Sequence, residues 1–226
     1  LLLRQCSRSD WPAPTFVPTI DPEHDIAVAL HQSSICSIYD IFFAGQTAHD
    51  RDVLHTIHLL TGEDPRPLRV HARTPAWSIR MADHHPMTVS FHDDVAAITM
   101  QLNSLQYGSR EFNGLFSISV RFKLLNANGA PGLERQGDIQ IAGVLDHGSP
   151  GELNEALSIL RTKFSAVFQP SFAFEGLVPP TGGGWEKIRV LELSRLEAQN
   201  GWLVVGYRLP SQRKLEPPRP TDTVSK

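Results

Sequence analysis

Residues 114–125 read GLFSISVRFKLL, and their alternation narrows the fold more than any other stretch. Phe116, Ile118, Val120, Phe122 and Leu124 fall on one side, and Ser117, Ser119, Arg121 and Lys123 fall on the other. Successive side chains of a strand point to opposite faces, so this is a strand with one dry and one wet side. Antiparallel sheets are built that way, whereas parallel strands covered on both faces read as unbroken apolar runs.

The flanking segments continue the pattern as an antiparallel meander. AWSIRMA (76–82) and PMTVSFH (86–92) read as strands, and Asp93-Asp94 turns the chain into VAAITMQLNSLQY (95–107). NANGAPG (126–132) reads as a long hairpin loop, after which LERQGDIQIAGV (133–144) returns as one strand. EKIRVLELSRLE (186–197) and WLVVGYRL (202–209) form a closing hairpin through Asn200-Gly201, a pair suited to a tight turn of left-handed backbone.

Helical periodicity appears in three places. After a short strand in DIAVALHQ (25–32), Ser33 or Ser34 is the expected cap of a helix that carries Ile35, Ile38, Tyr39 and Phe42 and stops at Gly45. Thr47 is the expected cap of a second helix ending at Gly62. Ser149-Pro150-Gly151-Glu152 is a capping box ahead of the stripe Leu153, Leu157, Leu160, Phe164 and Val167. The class predicted is α+β, an antiparallel meander packed by two or three amphipathic helices. No βαβ alternation suggests a doubly wound nucleotide-binding fold.

Residues 7–22 hold four prolines and no period. The expected organisation is a linker or tail over 1–23, one domain over 24–210, and a Pro-rich tail over 211–226. The chain opens at Leu1 rather than Met, so a portion of a longer polypeptide is expected; Arg4 and Gln5 before Cys6 exclude a lipoprotein signal. With 21 basic and 24 acidic residues interspersed, no basic face points to nucleic acid, and no apolar run of about 18 residues spans a bilayer.

The chemistry-bearing residues are scattered. HDRDVLHTIH (49–58) holds His49, His55 and His58 with Asp50 and Asp52, but at about 100° per helical residue the imidazoles diverge, leaving a solvated face. A catalytic zinc needs three converging ligands. In DHHPMTVSFHDD (83–94), His84 and His85 precede a proline, His92 lies at the far end of a strand, and Asp93 and Asp94 read as a turn. Cys36 with His31 is a conceivable thiol–imidazole pair, yet Cys36 borders the apolar helix face, where a thiol is an inert small hydrophobe. A bridge between Cys6 and Cys36 is not expected. PPTGGGW (179–185) lacks the lysine of a phosphate loop, and Glu175 with Glu186, or Glu192 with Glu197, carry no mark of an acid–base pair. No catalytic, cofactor-binding or metal-binding residue is therefore assigned, and no cofactor is expected.

Three segments carry a resemblance. DIAVALHQSSICSIYDIFFAGQT (25–47), PMTVSFHDDVAAITM (86–100) and NGWLVVGYR (200–208) are similar to the VHQSxINN…LAGxT, PITVxFxDD and DGWLxLGW segments of a family of large bacterial proteins with no assigned reaction. Ser34, Cys36 and Ser37 stand where the first segment's usual residues, including its paired asparagines, would be. The resemblance implies the C-terminal portion of an envelope or secreted protein and supplies no active-site residue. The element order also resembles tubular lipid-binding folds, in which a curved sheet wraps a helix.

The leading expectation is a non-catalytic domain that binds an apolar ligand such as a lipid, or a partner chain such as the N-terminal part of the same protein. The expected site is a groove between the Leu153–Val167 helix and the sheet. A structural module of an envelope protein is the second expectation, and a metal-dependent hydrolase using the 84–94 histidines the third.

Overall fold

The structure, a computed structural model, describes residue 18 and residues 26–52, 76–127, 130–173 and 192–208. In chain order the elements are β1 (Ile26–His31), α1 (Gln32–Phe43), β2 (Thr47–His49), β3 (Trp77–Met81), β4 (Met87–His92), β5 (Val95–Tyr107) and β6 (Arg110–Ala127). Then come β7 (Ala130–Arg135), β8 (Gln140–Leu145), α2 (Pro150–Val167), β9 (Ser171–Ala173), β10 (Glu192–Gln199) and β11 (Trp202–Arg208). The class is α+β, and every strand pairing is antiparallel.

β5 and β6 are the spine of an eight-stranded sheet. β3 and β4 share the outer edge of β5, and β7 and β8 share the outer edge of β6. The return expected as one strand over 133–144 is thus two strands, β7 and β8, broken at Gln136–Ile139. The loop expected at 126–132 shrinks, because Ala127 pairs with Ala130.

A bulge explains why the apolar phase of β5 changes midway. Met100 and Leu102 face the core at even positions; Leu105 faces it at an odd one. The register with β6 slips between Leu102 and Ser104, turning both halves of the strand inward. Gly143 permits a further close approach: a Cβ there would lie 2.5 Å from Phe116 Cδ1.

α2 begins as expected. Ser149 Oγ accepts the Glu152 N–H, and the Glu152 carboxylate accepts the Ser149 N–H at 2.7 Å. Its Ala156, Leu160 and Phe164 are buried against Trp77, Leu102, Phe116, Ile118 and Phe122. Trp77 and Phe164 meet edge to face at 6.3 Å, and Phe122 meets Phe172 likewise at 5.5 Å. Each fully buried side chain of this size contributes about 1.5–3 kcal/mol.

The closing hairpin does not extend the meander. It joins β1 in a second sheet, ordered β1-β11-β10, whose Leu196, Ala198 and Val205 pack on Phe91, Ala96 and Leu124. Those residues share the inward face of the large sheet with Ile98, Met100, Ile118 and Val120. One face of the large sheet therefore carries two covers side by side, α2 and the small sheet with α1. Among the described residues both sheets are open, and neither closes into a barrel.

Three local expectations are corrected. His31, rather than Ser33 or Ser34, caps α1: its side chain accepts the Ser33 N–H. Thr47 lies on β2, paired with Arg80, and the helical residues begin at Asp50. The space expected between α2 and the sheet holds the buried side chains of Ala156, Leu160 and Phe164. The remainder of the second predicted helix, the tails over 1–23 (apart from Pro18) and 211–226, and Cys6 lie outside the described residues.

Candidate functional site

Residues 25–47, 86–100 and 200–208 meet, through their described parts, at one junction. The Asn200-Gly201 turn, with φ of +50° and +83°, inserts between the end of β4 and the start of α1. Gln32 donates its N–H to Gly201 O at 2.8 Å, and Gly201 donates to Phe91 O at 2.8 Å. Phe91 N–H closes the ring by donating to the Gln32 side-chain oxygen at 3.2 Å. A residue with a Cβ at 201 would place it 3.0 Å from His31 Nε2, so glycine serves both the turn and the close approach.

Asp94 ties the same junction to the large sheet. Its N–H donates to Ala198 O at 2.8 Å, and its Oδ1 accepts the Ala198 N–H at 3.2 Å. Its carbonyl accepts the Leu124 N–H at 2.8 Å. Asp93 and Asp94 have φ of +49° and +58°, the left-handed values of a tight hairpin turn, which aspartate tolerates. The turn expected at 93–94 is present, and one of its carboxylates is a structural acceptor.

The junction holds a serine and a histidine in contact. Ser33 Oγ lies 2.7 Å from His31 Nδ1, and the same nitrogen accepts the Ser33 N–H at 3.2 Å. With Nδ1 accepting the Ser33 N–H, the Ser33 hydroxyl can donate to the same nitrogen. A hydrolytic triad needs one ring nitrogen on the nucleophile and the other on a carboxylate. Here the ring edge meets Trp202 at 4.9 Å, and no carboxylate bonds the ring among the described residues. This is a helix cap.

Cys36 is 1% exposed and bonded to the backbone of β4, accepting the Val89 N–H at 3.3 Å. Burial pushes its thiol above the ordinary value of 9.0, with the Asp40 carboxylate adding to the shift. A thiol so placed is protonated at neutral pH and out of reach of reagents.

Other titratable side chains among the described residues form local pairs. His85 Nδ1 meets Asp40 Oδ2 at 3.1 Å, His92 Nε2 meets Asp93 Oδ2 at 3.0 Å, and Asp83 accepts from Arg80 and Asn103 at 3.3 and 3.1 Å. His49 N–H is 3.0 Å from Asp52 Oδ2, an ordinary start to a helical turn. Glu197 pairs with Arg195 at 2.7 Å. Among the described residues no three His, Cys, Asp or Glu side chains gather where a metal ion could sit. His55, His58, Glu175, Glu186 and the 179–185 stretch lie outside the described residues.

What sequence reasoning missed is an apolar ledge. Ile26, Val28 and Leu30 lie opposite Tyr207, Val205 and Leu203, on the face of the small sheet that packs against the large one. That face is buried at Leu196, Ala198 and Val205 but runs out into solvent on β1, whose three apolar side chains are 40–44% exposed. α1 follows directly. Ile35 packs into the buried end of the same cluster, while Ile38, Ile41 and Phe42 stand exposed, Phe42 at 66%. Scattered exposed apolar residues are ordinary, but here one strand and the helix that follows it both leave large apolar side chains in solvent, as surfaces that bind partners do. The signal was present in α1, whose apolar residues run too far round the helix for a single buried stripe.

The opposite face of the large sheet is mostly polar but also carries the exposed pair Leu115 and Val144. A concavity of about 170 Å³ there is lined by Thr99, Ser119, Arg121, Gln136, Asp138 and Gln140 among others. Ligand pockets for drug-sized molecules run to about 300–1,000 Å³, so this one is small. No helix is long and apolar enough to cross a membrane among the described residues. No protein-family model matches the chain, and no curated protein matches it.

Proposed function

We propose that the domain is a non-catalytic docking module that takes a partner polypeptide on the ledge of β1 and α1. One observation carries this reading: six large uncharged side chains, Ile26, Val28, Leu30, Ile38, Ile41 and Phe42, are left in solvent beside a core that buries their neighbours. The dispersal of the titratable groups among the described residues supports it from the other side, since acid–base or nucleophilic chemistry needs such groups in mutual reach.

The shape of the surface favours a polypeptide over a free lipid. Small apolar ligands are held in concave sites that bury about 70–90% of their surface, and a ledge encloses nothing. The expected groove under α2 is occupied by Leu160 and Phe164, which are fully buried. The resemblance to large bacterial envelope or secreted proteins supports reading the domain as one part of a longer chain, whose other parts would be natural partners.

Site-specific photo-cross-linking tests this. A benzophenone side chain at Phe42 is expected to yield adducts to one defined peptide, and the same group at Arg161, exposed on α2, is expected to yield none. Equal adducts at the two positions, or adducts to lipid alone, would contradict the reading.

A further inference from the structure

β1 carries a second unusual property. It lies at the end of the order β1-β11-β10, pairs with β11 over all six residues without a register slip, and meets no other strand among the described residues. An open edge exposes a row of backbone donors and acceptors, and proteins normally blunt it with lysine, proline, a bulge or a cover. IAVALH has no charge, no proline and no bulge.

We propose that the occupant of this edge is a second copy of the chain, joined by antiparallel β1–β1 pairing about a two-fold axis; the proposal rests on reading the ledge as a docking surface. The alternation of β1 selects the register. With Val28 opposite Val28 of the copy, Ile26 lies opposite Leu30, and the exposed apolar residues of both strands share one face. Two small sheets then merge into one of six strands, β10-β11-β1 followed by its symmetric counterpart. Charge permits the match, because neither β1 nor the exposed Ile38, Ile41 and Phe42 bring a charged group to an axis where each residue nears its own copy. The exposed area of the six ledge residues amounts to roughly 600 Å², below the ~800 Å² per partner of a standard interface and in the range of a weak, concentration-dependent dimer.

The mass of the 226-residue chain in solution is the test, followed by sedimentation over about a hundredfold range of concentration. The expected result is a shift from 25.1 kDa to twice that mass. Val28→Lys and Val28→Glu, each alone, should weaken self-association at least tenfold by setting like charges against each other, and an equimolar mixture of the two should restore the dimer. Rescue by mixing excludes misfolding as the cause. A wild-type chain that stays monomeric, or a dimer that Val28→Lys leaves intact, overturns the proposal. A monomer that still cross-links from Phe42 to another polypeptide overturns the dimer and keeps the docking reading, whereas a monomer without cross-links overturns both.

Discussion

Ala198 donates its backbone N–H to Asp94 Oδ1 at 3.2 Å, across 104 positions of sequence. With the reciprocal bond from Asp94 N–H to Ala198 O, it fastens the closing hairpin to the turn between β4 and β5. The turn read from Asp93-Asp94 therefore also serves, through Asp94, as a clasp between two sheets.

Asp94→Ala removes one acceptor from a buried N–H and places alanine at a positive φ. A loss of about 1–3 kcal/mol is expected. Asp94→Asn keeps both an acceptor and tolerance of the left-handed region, so it should cost less than the alanine variant. Urea unfolding midpoints of the two variants measure the difference.

Alkaline pH should destabilise the fold through Cys36, Tyr39 and Tyr207. Burial raises the first from 9.0 and the two tyrosines from 10.0. Between the unfolded and folded values the unfolded chain has lost a proton that the folded chain keeps, so stability falls as pH rises. Unfolding free energy should therefore be level at neutral pH and decline from about pH 9, in keeping with the ordinary thiol range. Cys36→Ala should remove the first part of that decline. Native Cys36 should also react with a disulfide reagent far more slowly than the unfolded thiol.

The capping box makes the complementary prediction in acid. Hydrogen bonds from Ser149 N–H and hydroxyl hold the Glu152 carboxyl below its ordinary 4.5. Its contribution is present above that value and disappears as pH falls through the lowered one. Ser149→Ala should cost about 1 kcal/mol at neutral pH, and the difference between variant and wild type should narrow in acid.

Phe164→Ala should cost about 3–5 kcal/mol, because the ring fills the space between α2 and the sheet. A heat-unfolding series checks this, and lipid extraction of the wild-type chain should return nothing bound under α2.

Most strands were legible because each has one buried face, and period two records it directly, as Phe116 to Leu124 does. The α2 start was legible for a similar reason, since Ser149 and Glu152 satisfy each other locally. Pairing between distant segments was not. Nothing within DIAVALHQ says that its partner is Trp202–Arg208, because that register depends on the Asp94–Ala198 clasp and on where the hairpin lands. His31 was missed as a cap because a ring nitrogen replaced the usual hydroxyl or carboxylate. The ledge was missed because periodicity marks apolar residues without saying which of them the fold covers.

The account stands on the ledge being a working surface rather than a strained part of the core. The measurement that tests it most directly is the stability of the triple variant Ile38→Ser, Ile41→Ser, Phe42→Ser, set beside its self-association and cross-linking. Exposed positions away from packed features shift stability by about 0.5 kcal/mol or less each, so the unfolding midpoint should barely move while association is lost. A loss of several kcal/mol with association unchanged would contradict the account.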